Sequence, residues 1–255
     1  PKIHLDMIER SELNAYAFRY NDLDCIAIPV GTPKVIRALY CQLFSHPGVF
    51  PNVGDVSAET PPEPWPLIPN NTSEIVTYPS GPTYPRRMFW IAVLEKFTRE
   101  FMIAHEIAHL RFGHCHLPIP GHTNQLMFEA FNNTNDKGLD NNITNQALEM
   151  NADVWAITQG FTNITPFIQK LNENEISKGL VDHKYALWLL LYAAYTFFRM
   201  YVWDPLDISN LAATEHPHPL VRQAWIFQTL ATRCRYGLLD MSVSEALRLI
   251  SPQLR

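Results

Sequence analysis

The segment His105-Glu106-Ile107-Ala108-His109 lies inside a long stretch of apolar residues that repeat at helical spacing. Residues four apart share one face of a helix, so both imidazoles can reach one metal ion while Glu106 lies beside it. This is the geometry that zinc hydrolases use. A chance match to so short a motif is expected in on the order of one per cent of chains of this length. The rest of the chain must therefore supply the other parts of a site.

A third metal ligand is needed, because a catalytic zinc ion takes three protein ligands and keeps an open position for water. A third histidine in the pattern HExxHxxGxxH would require glycine at 112 and histidine at 115, but the chain has Phe112 and Cys115. The better candidate is Glu149, in a segment that ends at Asp153 on the same helix face. Apolar neighbours favour buried carboxylates here over a solvated face. Asp153 would accept a hydrogen bond that fixes the tautomer of a ligand imidazole.

The pattern around the motif predicts one mainly helical α+β domain over residues 1–255, because the candidate site residues are spread from 105 to 222. Period-two alternation predicts a small N-terminal hairpin from strands 14–20 and 25–30, in which Pro29 fits an edge strand better than a central one. Apolar repeats, N-caps and stop signals predict seven helices. The first three run from Thr32-Pro33 through 44, over 87–114, and from about 145 to a stop at Gly160. The others begin at Thr165, run over 183–203 and 220–236, and open with the capping box 242–245.

Two long segments are predicted to be irregular. Residues 46–86 contain half of the chain's 20 prolines, and proline fixes φ and removes a backbone donor. A surface loop is the simplest interpretation; a flap over the active-site cleft and a polyproline II ligand for another domain are alternatives. Residues 117–144 are rich in asparagine and glycine and predict a second long loop.

Composition and charge exclude several function classes. The net charge of -5, with no basic cluster, disfavours nucleic acid as a partner. Four widely spaced cysteines without a CxxC pair argue against a disulfide framework and against a thiolate metal site. No signal peptide opens the sequence, so a cytoplasmic location is expected. The apolar run Tyr185–Phe198 has only 14 residues, whereas a membrane span needs roughly 20, which favours a buried helix and no membrane partner.

Three motifs follow one another along the chain: HExxHxxxxH at 105–114, ExxAD at 149–153 and HPxxxxR at 216–222. Together they resemble the HtpX and CAAX prenyl protease family of gluzincin metallopeptidases, and phage-exclusion peptidases of the Lit type have a similar set. The resemblance implies a zincin-like metallopeptidase core that binds one Zn²⁺ through His105, His109 and Glu149. Asn14, Ala15, Tyr16 and Ala17 also resemble the NAFA segment of the family, which implies an edge strand that pairs with substrate. The several membrane spans of the integral-membrane members are missing, so a soluble version is expected.

The motifs predict roles for the remaining residues. Glu106 would act as general base. His216 matches the position that stabilises the oxyanion, although His218 competes with it. Arg222 would pair with a buried carboxylate, and an exposed surface arginine is the alternative. The other histidines near the motif, among them His114, are expected to pack at the helix end or to lie in loops, without a second metal.

These assignments support a zinc-dependent metalloendopeptidase that acts on a protein or peptide, with a restricted protein target suggested by the two long loops. The alternatives are a zinc-stabilised binding or regulatory module that has lost catalysis, and a membrane-tethered protease that uses 183–203. Glu106 favours an enzyme, because a binding module has no need of a general base beside the metal.

Overall fold

The computed structural model describes residues 2–51, 53–60, 81–116, 127–128, 139–173, 182–201, 206–208, 211–214 and 216–235. Within these ranges the chain is mainly helical with one small sheet, so the predicted α+β, mainly α class is confirmed. The strands are β1 (Ile3–Ile8), β2 (Tyr16–Tyr20), β3 (Leu23–Pro29) and β4 (Met127–Phe128). The helices are α1 (Gly31–Ser45), α2 (Pro85–Arg111), α3 (Leu139–Thr162), α4 (Ile164–Asn172), α5 (His183–Tyr201) and α6 (Pro219–Arg235), with 3₁₀ turns at Val56–Ala58 and His114–His116.

The four strands form one sheet in the order β1-β3-β2-β4. Strands β2 and β3 are the predicted hairpin, paired antiparallel and joined by a turn in which Asn21 has a φ of 53°. Strand β1 runs parallel to β3 and was not predicted. Ile3, Leu5 and Met7 alternate with polar residues, which is a pattern typical of a strand. In the structure all three apolar side chains are exposed, so the strand has no buried face.

Two expectations about the sheet are wrong. Pro29 belongs to the central strand β3 and not to an edge strand. It is tolerated there because it is the last residue of the strand, and the next residue, Val30, donates its N–H to the carbonyl of Ile8 at 3.0 Å. The sheet therefore does not need the backbone N–H that Pro29 lacks.

The segment Asn14–Ala17 was expected to form a free edge strand, and this is wrong for Tyr16 and Ala17. Strand β4 lies alongside them, with Tyr16 opposite Phe128 and Ala17 opposite Met127. The two residues of β4 come from the segment 117–144, whose composition predicted only a loop. Composition carries no information on which strand edge such a segment will meet.

The helices pack around α2, which contacts α1, α3 and α5. Apolar and aromatic residues of α2 and α5 form the centre of the core; the ring of Phe101, for example, lies edge-on to Phe197 and Phe198. The prediction of a buried helix at 183–203 is confirmed over His183–Tyr201. In the part of the chain that the structure describes, every helix is too short or too polar to span a membrane.

Helix α3 differs from the prediction at both ends: it begins at Leu139 and continues through Gly160 to Thr162. Contrary to the prediction, Gly160 does not end the helix but allows close packing. A Cβ built on it would lie 2.8 Å from Cδ1 of Leu190, which shows that the glycine allows α3 and α5 to approach closely. The capping box 242–245, most of 61–86 and most of 117–144 lie outside the described residues.

Helix α1 begins at Gly31, two residues before the predicted first helical residue Pro33, and Thr32 has a different role from the predicted cap. Its hydroxyl accepts a hydrogen bond from the backbone N–H of Asn14 at 3.0 Å and lies 2.7 Å from the carbonyl of the same residue. Thr32 therefore fastens the chain just before β2 to the start of α1.

The start of α2 is held by a fully buried arginine, Arg87. Its guanidinium donates to backbone carbonyls in the last turn of α1 and in the segment after it, at Phe44 (2.6 Å), Val49 (2.8 Å), Val53 (2.8 Å), Phe50 (3.1 Å) and His46 (3.4 Å). Glu59 lies 3.9 Å from the same guanidinium and accepts the N–H groups of Thr83 and Tyr84. The first part of the proline-rich segment is thus fastened to α2.

Candidate metal centre

The last two turns of α2 carry both histidines of the HExxH motif. His105 and His109 are buried, and their Nε2 atoms lie 2.9 Å apart, as expected for residues one turn apart on one helix face. Phe101 lies one turn before His105, with ring centroids 6.4 Å apart, so apolar packing limits the rotation of the first imidazole. The helix therefore presents two imidazole nitrogens to one point.

Glu149 reaches the same point from α3. Its Oε2 lies 3.3 Å from Nε2 of His105, and its Oε1 lies 3.4 Å from Nε2 of His109. Tetrahedral zinc with bonds of about 2.0–2.2 Å would hold neighbouring ligand atoms roughly 3.3–3.5 Å apart. The two carboxylate separations fit that spacing, and the pair of nitrogens is slightly closer. His105, His109 and Glu149 form a buried group that can bind a metal ion.

The charge of Glu149 is preserved in spite of its burial. Desolvation alone would raise the pKa of this carboxyl group. The neighbouring imidazoles of His216, His109 and His105 outweigh desolvation and hold the pKa well below its usual range. The group is therefore an ionised carboxylate surrounded by imidazoles, which is an arrangement suited to a cation.

Asp153 lies one turn beyond Glu149 on α3 and contacts the first ligand from behind. Its Oδ1 is 3.0 Å from Nδ1 of His105, so the ring can donate through Nδ1 and leave Nε2 free for a metal. Arg222 of α6 donates to the same carboxylate through Nε at 2.8 Å and Nη2 at 2.7 Å. Nη2 of Arg222 also lies 3.5 Å from Oε2 of Glu149. Three helices thus meet at two buried carboxylates.

His109 has a different partner, which sequence reasoning missed. Its Nδ1 lies 3.0 Å from Nδ1 of His114. Helix α2 ends at Arg111, and Gly113, with a φ of +74°, turns the chain so that His114 comes back towards the helix. Burial, the largest influence, lowers the pKa of His114 and favours its neutral form. The spacing HExxHxxxxH contained the signal, but it does not show which ligand the extra histidine contacts.

The other histidines of the described residues and Cys115 lie outside the candidate metal-ligand group. Among the described residues, His105, His109 and Glu149 form the single group with metal-ligand geometry. Cys115 is buried, and its thiol donates to the carbonyl of Ala17 at 3.5 Å. Burial, followed by the charges of Glu106 and Asp24, raises the pKa of this thiol to about 12, which suits a packed residue and not a nucleophile.

The structure distinguishes the positions of His216 and His218, the two histidines that competed for one predicted role. Nδ1 of His216 lies 3.6 Å from Oε2 of Glu149, at the metal centre. Nδ1 of His218 accepts the backbone N–H of Leu220 at 3.2 Å, at the start of α6. The local geometry places His216 beside the candidate ligands and gives His218 a role at the helix start.

Glu106 and the segment Asn14–Ala17 complete the set of predicted site residues. Glu106 is 1% exposed and follows His105 on α2. The segment Asn14–Ala17 is buried, and β2 packs against α2 and against the 3₁₀ turn that carries His114. The strand therefore lies along the metal-binding helix, although β4 covers its edge at Tyr16 and Ala17.

No protein-family model, no curated protein and no solved structure matches this chain.

Proposed function

We propose that this protein is a zinc-dependent metalloendopeptidase of the gluzincin type. One observation supports it above all: the ligand atoms of His105, His109 and Glu149 lie within 4.8 Å of one another, inside the protein. Two imidazoles and one carboxylate are the ligand set of catalytic zinc sites that keep a position open for water. Glu106, the acidic residue next to the first ligand, gives the site a general base.

Zinc is proposed as the metal because two histidines of an HExxH motif with one glutamate are a ligand set of catalytic zinc. Imidazole also suits copper, iron and nickel, whereas magnesium and calcium prefer an all-oxygen environment. The described ligands include no thiolate. When bound, a zinc ion would lower the pKa of a water molecule to about 7 and polarise the carbonyl that is attacked.

The residues around the ligands have separate roles in the proposed reaction. Glu106 accepts the proton of the attacking water and returns it to the leaving amine. His216 donates a hydrogen bond to the substrate oxygen that becomes negative in the transition state. Asp153 holds His105 through Nδ1, and His114 does the same for His109, so that neither imidazole needs to reorient during the reaction.

The substrate is proposed to be a restricted protein target. The support is the length of the segments 46–86 and 117–144, which together form a large part of a small enzyme and can narrow access to a cleft. Incubation with a panel of unrelated unfolded proteins, such as reduced casein and serum albumin, tests this. Equal cleavage of the whole panel would contradict a restricted target while leaving the peptidase reaction in place.

The decisive experiment compares the wild type with Glu106→Gln in metal content and peptidase activity. The wild type is expected to bind about one zinc ion per chain and to hydrolyse peptide bonds. The variant keeps the metal and loses activity by roughly 10²–10⁴-fold, because the amide cannot accept the proton. Glu100→Gln is the matched control: it lies on the same helix, is exposed and pairs only with Lys96 among the contacts described.

Three outcomes separate the alternatives. Activity lost in Glu106→Gln but kept in Glu100→Gln supports the peptidase. Zinc bound by an inactive wild type favours the binding module. Absence of zinc from both proteins after exposure to the metal contradicts the proposed site altogether.

A further inference from the structure

Two side-chain amides of α3 hold the chain segment that leads into His216. They belong to Asn142 and Gln146, which are one helical turn apart. The segment that they hold is Leu211–Thr214, which lies between α5 and α6 in the sequence. This contact was not predicted, and neither amide belongs to the motifs that mark the metal centre.

The hydrogen bonds are directed from the amides to backbone carbonyls. Nε2 of Gln146 donates to the carbonyls of Leu211 and Thr214, both at 2.7 Å. Nδ2 of Asn142 donates to the carbonyls of Ala213 at 3.0 Å and Ala212 at 3.3 Å. The two side-chain amides thus donate to four successive backbone carbonyls, and these bonds fix the conformation of the segment relative to α3. We call this arrangement the amide clamp.

The amide clamp is connected to the metal centre in two ways. Downstream, the hydroxyl of Thr214 donates to the carbonyl of His216 at 2.8 Å, and the His216 ring then lies 3.6 Å from Glu149. Along the helix, residues 142, 146, 149 and 153 recur at intervals of four, three and four residues and form one stripe. The face of α3 that provides the ligand Glu149 therefore also holds the segment before His216.

We propose that Gln146, assisted by Asn142, is a positioning residue that sets the place of His216 relative to the metal ligands. This inference rests on the proposed function, in which His216 stabilises the developing oxyanion. Hydrogen bonds of this kind act in the transition state only if the donor is already in place. The amide clamp orders the segment immediately before His216 by fixing four successive carbonyls to α3.

Removal of the Gln146 amide should cost little of the stability of the fold as a whole. Gln146 is half-buried, and its bond to Thr214 lies at the surface. Water can solvate the released carbonyls when the amide is removed. A loss of activity without a loss of stability is therefore the expected effect of removing it.

The test is Gln146→Leu in two backgrounds, the wild type and His216→Ala. In the wild-type background we expect kcat to fall roughly 10- to 100-fold, the effect of misplacing a catalytic group by about 1 Å, with KM, zinc content and melting temperature unchanged. In the His216→Ala background the same substitution should have no further effect on kcat, because the residue through which it acts is gone. Gln159→Leu, the same change near the other end of α3, is the matched control and should behave as the wild type.

A second readout makes the test independent of activity. The Cε1–H resonance of His216, identified by its loss in His216→Ala, is followed in zinc-loaded protein and should shift or broaden in Gln146→Leu but not in Gln159→Leu. An unchanged resonance, or equal losses of kcat in the two backgrounds, overturns the inference. If the wild type shows no turnover, the proposed function fails; a moved resonance then still supports the placement of His216 by Gln146, and an unmoved one removes it.

Discussion

Arg222 and Asp153 form a two-point ion pair inside the protein, with Nε 2.8 Å from Oδ2 and Nη2 2.7 Å from Oδ1. The same carboxylate lies 3.0 Å from Nδ1 of His105. One aspartate of α3 therefore connects α6 to the metal-binding turn of α2. Both side chains are almost completely buried, so water cannot replace either partner when the other is removed.

The substitution Asp153→Asn keeps the shape of the side chain and removes its charge. We expect metal affinity to fall roughly 10- to 100-fold, because His105 loses the carboxylate that orients it. We also expect the free energy of unfolding to fall by about 3 kcal/mol, because the buried Arg222 loses its two-point partner and keeps only Glu149, 3.5 Å from Nη2. Competition with a chelator measures the first effect, and urea denaturation of the metal-free protein measures the second.

The double variant Asp153→Asn/Arg222→Met separates the two effects. The methionine can pack against Phe198, whose ring lies 4.2 Å from the guanidinium carbon of Arg222. Stability should recover in large part, since no buried charge is left unpaired, while metal affinity stays low. Recovery of metal affinity together with stability would show that Asp153 affects the metal only through the fold.

Gly113 is expected to be sensitive to substitution because of its backbone conformation. Its φ is +74°, and a Cβ added there would meet nothing within 4 Å, so the cost of a side chain is conformational and not steric. Gly113→Ala should lower the free energy of unfolding by about 1–2 kcal/mol. Because this turn brings His114 to His109, metal affinity should fall as well.

Asparagine tolerates the left-handed conformation better than alanine. The variant Gly113→Asn should therefore be less destabilised than Gly113→Ala and should keep more of the metal affinity. The two variants are compared by urea denaturation and by chelator competition. Equal effects of the two substitutions would argue against backbone strain as the cause.

Arg87 is expected to matter for stability and not for chemistry. Arg87→Met removes the donors of several backbone carbonyls in a buried region and should cost more than about 3 kcal/mol of unfolding free energy. Arg86→Met changes the exposed neighbouring arginine and should change stability by no more than about 0.5 kcal/mol. The melting temperature measures both. A fall in zinc affinity of folded Arg87→Met would contradict the assignment, since it would couple the segment 46–53 to the metal centre.

Local patterns in the sequence predicted those parts of the fold and site that depend on local spacing. Alternation at period two gave the β2–β3 hairpin, and helical repeats gave α1, α2 and α5 with small errors at their ends. The ligands His105 and His109 follow from their separation of four residues, because a helix brings such residues together whatever surrounds it.

Features that depend on tertiary pairing could not be predicted. The exposed strand β1 has no buried face, and β4 is too short to give a pattern. The contact between His114 and His109 depends on the turn at Gly113, and the bonds from Gln146 join positions 65 and 68 residues apart in the sequence. Glycine at position 160 predicts the end of a helix, but in the structure the helix continues and Gly160 packs against Leu190 of α5.

The thiol of Cys115 gives the fold a specific dependence on alkaline pH. Burial raises the pKa of this group to about 12, from 9.0 for an exposed thiol, and the nearby charges of Glu106 and Asp24 add to the effect. Between these two values the unfolded chain loses the thiol proton while the folded protein keeps it. The contribution to stability is therefore fully present below pH 9 and decreases as the pH rises from 9 towards 12.

Comparison with Cys115→Ala isolates this contribution, because the tyrosines and lysines that also titrate at high pH are common to both proteins. The free energy of unfolding is measured for each from pH 7 to pH 11. The advantage of the wild type should be constant up to about pH 9 and should shrink above it. In the native wild type, Cys115 should also react slowly with iodoacetamide, because the thiolate is the reactive form. Rapid alkylation of native Cys115 near neutral pH, or a constant difference in stability up to pH 11, would show that the thiol ionises normally and is accessible.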